Sequence, residues 1–166
     1  MIDDAKGILS ELKDKMKEES CIKRGEDLCV GDIFEMDMDA NDGLILTEGY
    51  PTRLKYVVVV GITSKGDAYG SYLINSEINF SKQDAVMMKY QYPLLQKNYP
   101  ELLEYDSYLD CTDLFNLKRK KIVARKANKR GTLTKEDYHN VRELACNSEL
   151  LSDHEKKLFG LNESVN

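Results

Sequence analysis

The chain has 166 residues, 42% of them hydrophobic and 32% charged, which is enough for one self-sufficient core and too short to demand a second domain. Its formal charge is −5, and no apolar run is long enough for a signal peptide or a membrane span. Four cysteines (Cys21, Cys29, Cys111, Cys146) lack C-x-x-C spacing, and neither His139 nor His154 lies near a cysteine pair; a cytoplasmic setting, buried thiols and no metal or other cofactor are expected.

Residues 1–24 carry Ile2, Ala5, Ile8, Leu9, Leu12 and Met16 at helical spacing, with Asp3 and Asp4 at the start where the helix dipole favours negative charge, so an amphipathic N-terminal helix is predicted there. The run "KRGEDL" then breaks the pattern. A main domain is expected over 28–150, opening with "CVGDIFEM", which alternates with period two and predicts a strand. Next comes "DMDANDGLILTE", Asp37 to Glu48, with oxygens at several calcium-loop positions. Position six is Asp42, however, and Gly43 arrives one residue late; with a strand before it, the segment reads as a polar loop between strands.

"LKYVVVVGIT" is a β-branched run of the kind buried on both faces, predicting the central strand. "SYLIN" predicts a third strand, "DAVMMKYQY" a fourth and "SYLDCTDLF" a fifth, while Pro93 and Pro100 leave only short helix between the last two. Thr134 and Asp137 form a capping arrangement ahead of a stripe of Tyr138, Val141, Leu144 and Ala145, so a closing helix follows. A last short helix starts at Ser152 and stops before Gly160, within a 151–166 tail. The class expected is mainly β with terminal helices (α+β), the strands forming a small bent barrel.

Charge is unevenly spread. Residues 1–117 carry 12 basic and 22 acidic side chains, whereas "KRKKIVARKANKR", Lys118 to Arg130, carries 8 basic and none acidic. Such a cluster attracts a polyanion or an acidic peptide; the alternative is a solvated turn with no partner. The candidate nucleic-acid contacts here are Lys118, Arg119, Lys120, Lys121, Arg125 and Lys126.

The order of the segments resembles the MazF/PemK-like toxin family of small SH3-like barrels. "GDIFEMD" is similar to its opening strand, "DMDANDG" to its D-x-D-P-x-x-G loop and "LKYVVVVG" to its R-P-V-L-V-I strand. "DSYLDCTDLF" resembles its D-S-V-x-L-x-Q-I-R-T-I strand, and "GTLTKEDYHNVREL" its terminal helix, the match spanning roughly Leu28 to Asn147. The resemblance implies a metal-independent endoribonuclease of a toxin–antitoxin pair, in which the ribose 2′-hydroxyl attacks its own phosphate. It also implies a two-fold homodimer, single-stranded RNA as substrate, an acidic antitoxin as partner, and a loop between the first two strands lying over the RNA groove.

Charge builds on the phosphate oxygens in that reaction, so a fixed cation and hydrogen-bond donors are needed. The family arginine falls on Lys55, with Arg53 two residues earlier on the same strand face; the family threonine falls on Asn75, beside the hydroxyl of Ser76. These four are the candidate catalytic residues, and no metal ligand is implied. Where the family has R-T on its fifth strand, this chain has Asp113 and Leu114, an anion in place of a cation. The alternative function is therefore a barrel that binds RNA or an acidic protein without cutting. Gyrase poisoning, known in the same fold with a tryptophan-bearing tail, finds no counterpart in a chain without tryptophan.

Overall fold

A computed structural model of the protein describes residues 7–8, 28–46 and 49–162. The helix expected over 1–24 lies outside the described residues except for Gly7 and Ile8, as do the final four residues of the tail.

Six strands form one antiparallel sheet: β1 (Asp32–Met38), β2 (Arg53–Ile62), β3 (Ala68–Asn75), β4 (Gln91–Leu94), β5 (Ser107–Lys118) and β6 (Asn128–Thr132), in the order β4-β5-β3-β2-β1-β6. Besides Gly7 and Ile8, which are helical, and three short 3₁₀ turns, the described residues hold the α-helices α1 (Ala85–Met88), α2 (Arg119–Ala124), α3 (Lys135–Cys146) and α4 (Asp153–Leu158). The fold is mainly β within the α+β class. The sheet is curled, but its edge strands β4 and β6 do not pair, so the expected cylinder stays open along one side.

The valine run of β2 is explained by what lies on each side of it. Val57 and Val59 join Phe34, Met36, Met38, Leu73, Leu117 and Ile122 in one core, while Val58 and Val60 join Ile33, Tyr72, Ile74, Leu109, Val141 and Phe159 in another. Both faces of the valine run are therefore covered by apolar side chains. The second core is roofed by α3 and by the C-terminal segment, where Phe159 and Leu161 are buried.

Caps fall where the sequence places them. Thr134 accepts from the Asp137 amide at the start of α3, and Ser152 and Glu155 form a reciprocal capping box at α4. Three polar contacts pin α3 to the sheet edge: Tyr92 and Tyr99 both donate to the Asp137 carboxylate, and Tyr99 accepts from the Thr134 amide.

Three elements differ from expectation. Most of "DAVMMKYQY" is not strand: the Asp84 side chain accepts from the Met87 amide, nucleating a turn of α1, and pairing resumes only at Gln91. Within the cationic window, α2 and β6 form where the sequence predicts no element. β6 takes its order from β1, with Ile33 facing Gly131 and Phe34 facing Lys129 across a register shift.

Among the described residues no helix is long and apolar enough to cross a membrane. Cys111 is fully buried, and burial raises its thiol well above the ordinary range.

Candidate active site

Where the start of β2, the end of β3 and the first part of β5 meet, the apolar core gives way to a groove of about 680 Å³. Strand parity builds it: Arg53 and Lys55 continue the face that carries Val57 and Val59, and Asn75 stands across from Lys55, one step beyond the Tyr56–Ile74 pair. All four residues that the family resemblance singles out, Arg53, Lys55, Asn75 and Ser76, line this groove. Arg53 is exposed at the mouth.

Lys55 is only 8% exposed, and its ammonium donates to Asn75 Oδ1 at 2.7 Å. Burial holds its proton affinity below the usual lysine value, the charge of Arg53 adds to that, and Asp110 opposes it. Asn75 thus acts on Lys55 rather than facing the groove alone: its oxygen fixes the ammonium, leaving its amide nitrogen as a donor.

β5 supplies what the sequence did not show. Ser71 pairs with Phe115 and Leu73 with Asp110, so two steps along β3 face five along β5. The extra residues form a bulge. In a regular strand, residues three apart point to opposite faces, yet Asp110 and Asp113 both line the groove. Asp110 Oδ1 accepts from Gln91 Nε2 at 3.0 Å and from the amide and hydroxyl of Thr112. Asp113 keeps more than a third of its surface open, but protein crowding round its carboxyl raises its proton affinity, and the Asp110 carboxylate adds to the effect. Glu77, Glu104 and Lys82 complete the charged lining, so the groove is mixed in sign.

None of Lys118, Arg119, Lys120, Lys121, Arg125 and Lys126 lines the groove. Two of them serve the β1–β2 loop instead. Asp39 caps a single 3₁₀ turn, Ala40 to Asp42, and Asp42 caps back onto the Asp39 amide. Arg125 then donates to Asp42, to Asp39 at 2.9 Å and to the Asp37 carbonyl at 2.8 Å, while Lys121 pairs with Asp42. The oxygens that resemble a calcium loop therefore act as internal counter-ions to the cationic window. Lys129 and Arg130 are likewise paired, with Asp32 and Glu35. Lys118, Lys120 and Lys126 are exposed.

The latch matters to the groove because the next residues, Gly43, Leu44 and Ile45, form one of its walls. Burial works to raise the Asp42 carboxyl, but hydrogen bonds from Lys121, the Asp39 amide and Arg125 outweigh it and hold it below the ordinary value of 3.8. A depressed carboxyl stabilises the fold fully above that value and loses its contribution as the pH falls through its own lower one. Asp42→Asn is expected to cost about 1–3 kcal/mol at pH 7. Urea unfolding at pH 7 and pH 3 checks this, since the gap between variant and wild type should shrink at pH 3. An equal gap at both would contradict the ionic origin.

His139 is exposed on α3 and stands outside the groove. The residues that sequence reasoning missed are Asp110, Gln83 and Gln91, and the bulge that brings Asp113 onto the same face as Asp110 left no pattern to read. Compared with known proteins, the chain matches no protein-family model and no curated sequence.

Proposed function

We propose that this groove is the RNA-cleaving site of a MazF/PemK-like endoribonuclease, and that the curled sheet is an open form of that family's SH3-like barrel. The observation that supports the reading is the convergence of Arg53 and Lys55 from β2 with Asn75 and Ser76 from the end of β3 on one groove that also holds the carboxylates of Asp110 and Asp113 among its four. Cleavage by 2′-hydroxyl attack needs a charge clamp, a proton acceptor and a proton donor.

In this proposal Arg53 clamps the non-bridging phosphate oxygens with its planar fork, and Ser76 donates a further hydrogen bond. Asp113 takes the 2′-hydroxyl proton, and its raised proton affinity makes it a stronger base than an ordinary carboxylate. The 2′-oxygen bonds to phosphorus, the bond to the 5′-oxygen breaks, and Lys55 passes a proton to that leaving oxygen. A lysine with lowered proton affinity is the better acid. The products are a 2′,3′-cyclic phosphate and a free 5′-hydroxyl, and solvent returns the proton from Asp113 to Lys55.

The mixed charge of the groove suits one scissile phosphate rather than a long backbone track. Binding should therefore weaken only shallowly with salt, with a slope of about −0.7 per phosphate contacted and about two contacts. As in the resembling family, the active species is read as a two-fold homodimer held in check by an acidic antitoxin.

The test is a long unstructured RNA incubated with purified protein in EDTA. Fragments ending in cyclic phosphate and 5′-hydroxyl are expected, with Arg53→Ala at least about a hundredfold slower. Intact RNA would overturn the cleavage reading; if a filter titration still showed binding, the protein would be the non-cutting binder that the altered Arg and Thr positions also suit.

A further inference from the structure

Two glutamine side chains in the groove are locked in a way that leaves a defined recognition edge. Gln91 on β4 stands opposite Asp110 on β5, and its Nε2 donates both to Asp110 Oδ1 at 3.0 Å and to Gln83 Oε1 at 3.2 Å. An amide nitrogen carries two protons, so both are spent. The orientation is fixed by chemistry: Asp110 Oδ1 already accepts from the Thr112 amide and hydroxyl, so the Gln91 atom facing it must be the nitrogen. Gln83 in turn must present its oxygen to Gln91.

What remains for a ligand is Gln91 Oε1, an acceptor, and Gln83 Nε2, a donor. Neither atom has a hydrogen-bond partner among the described residues, and both side chains line the groove. Two locked amides side by side, one accepting and one donating, match the pattern on the pairing edge of an unstacked nucleobase. Tyr105, exposed on the same lining, offers a ring for the base to stack on.

Resting on the RNA-cleaving reading of the groove, we infer that Gln83 and Gln91 form a base-reading subsite that selects one nucleotide by the pairing edge of its base. Phosphate contacts position a strand without reading it, so sequence preference in this groove arises at the amide pair. Gln83→Glu keeps the oxygen that Gln91 needs and replaces the free donor with an acceptor. The subsite then offers two acceptors, and guanine alone among the four bases presents two adjacent donors, N1–H and the 2-amino group, on that edge.

The experiment measures binding of 2′-O-methyl oligomers of A, C, G and U, which cannot be cut because their attacking oxygen is blocked, alongside cleavage of a mixed-sequence RNA. Wild type is expected to favour one or two bases at least tenfold. Gln83→Glu should shift the preference toward G by tenfold or more, and Gln83→Ala should flatten it to within about threefold. Equal binding of all four oligomers, binding of none, or a preference that Gln83→Glu leaves unmoved overturns the subsite, whatever the cleavage assay shows. Base-selective binding that shifts as expected, with no cleavage of the mixed RNA, keeps the subsite and removes the nuclease.

Discussion

Replacing Lys55 with methionine should slow the proposed RNA cleavage by about a hundredfold to a thousandfold while leaving the fold as stable as before or slightly more so. The two effects have one cause. The ammonium of Lys55 is buried, with Asn75 Oδ1 as its hydrogen-bond partner, and Arg53 lies on the same face. Holding a charge there costs stability, and methionine removes that cost with little change in volume. Asn75 is only half-buried, so its oxygen finds water once the ammonium is gone.

A gain of about 1 kcal/mol would raise the midpoint of thermal unfolding by about 2–4 °C. The pH dependence carries the sign. A lysine whose folded value is depressed burdens the fold fully below that value, and the burden lifts as the pH rises toward 10.5. Wild type should therefore gain stability over that interval relative to Lys55→Met. A variant that unfolds several degrees earlier than wild type would show that Lys55 serves structure, not chemistry.

The second large effect concerns the far face of the sheet. Gly61 and Gly70 are cross-strand partners on β2 and β3, and together they leave a flat window without side chains. Phe159 fills it. A methyl group on Gly70 would stand 2.8 Å from the ring, and one on Gly61 would stand 2.5 Å from the Phe159 carbonyl oxygen. Both contacts are too short to survive, so Gly61→Ala and Gly70→Ala should each cost about 3 kcal/mol in urea unfolding.

The pair can be told apart by adding Phe159→Ala. That truncation should itself cost about 3–5 kcal/mol, yet it vacates the space that the Gly70 methyl needs. The Gly70→Ala and Phe159→Ala costs should then fall well short of additive, whereas the Gly61→Ala cost should persist because its obstacle is backbone. Simple additivity at Gly70 would mean that the C-terminal segment does not rest on this window.

Several features could be read directly from the residue order. The valine run of β2 requires two covered faces wherever it is placed, and Thr134 and Ser152 cap their helices through bonds formed within three residues. The pairing of Arg53 with Lys55 on one face follows from strand parity alone. Those statements depend on local geometry, and local geometry is carried by neighbouring residues.

The rest needed contacts between distant segments. The cationic window looked like a surface for a polyanion because its counter-ions, Asp39 and Asp42, lie more than seventy residues earlier; only folding reveals that Arg125 and Lys121 are spent on them. Asp84 turned an apparent strand into α1 with a single side-chain bond. The bulge in β5 is a mismatch between two strands and has no meaning for either alone, yet it brings Asp110 and Asp113 to the same groove.

By itself, then, the sequence determined which segments are strands with dry faces, which are capped helices, and that basic and hydroxyl side chains of the right kind are present. Tertiary structure decided their company: which charges are neutralised inside the molecule, which amide atoms stay open to a ligand, and that Lys55 is buried against Asn75. The physical reason is one of range. Propensity, parity and capping act over a few residues, whereas ion pairing, desolvation and strand register are set by groups that meet only when the chain has closed on itself.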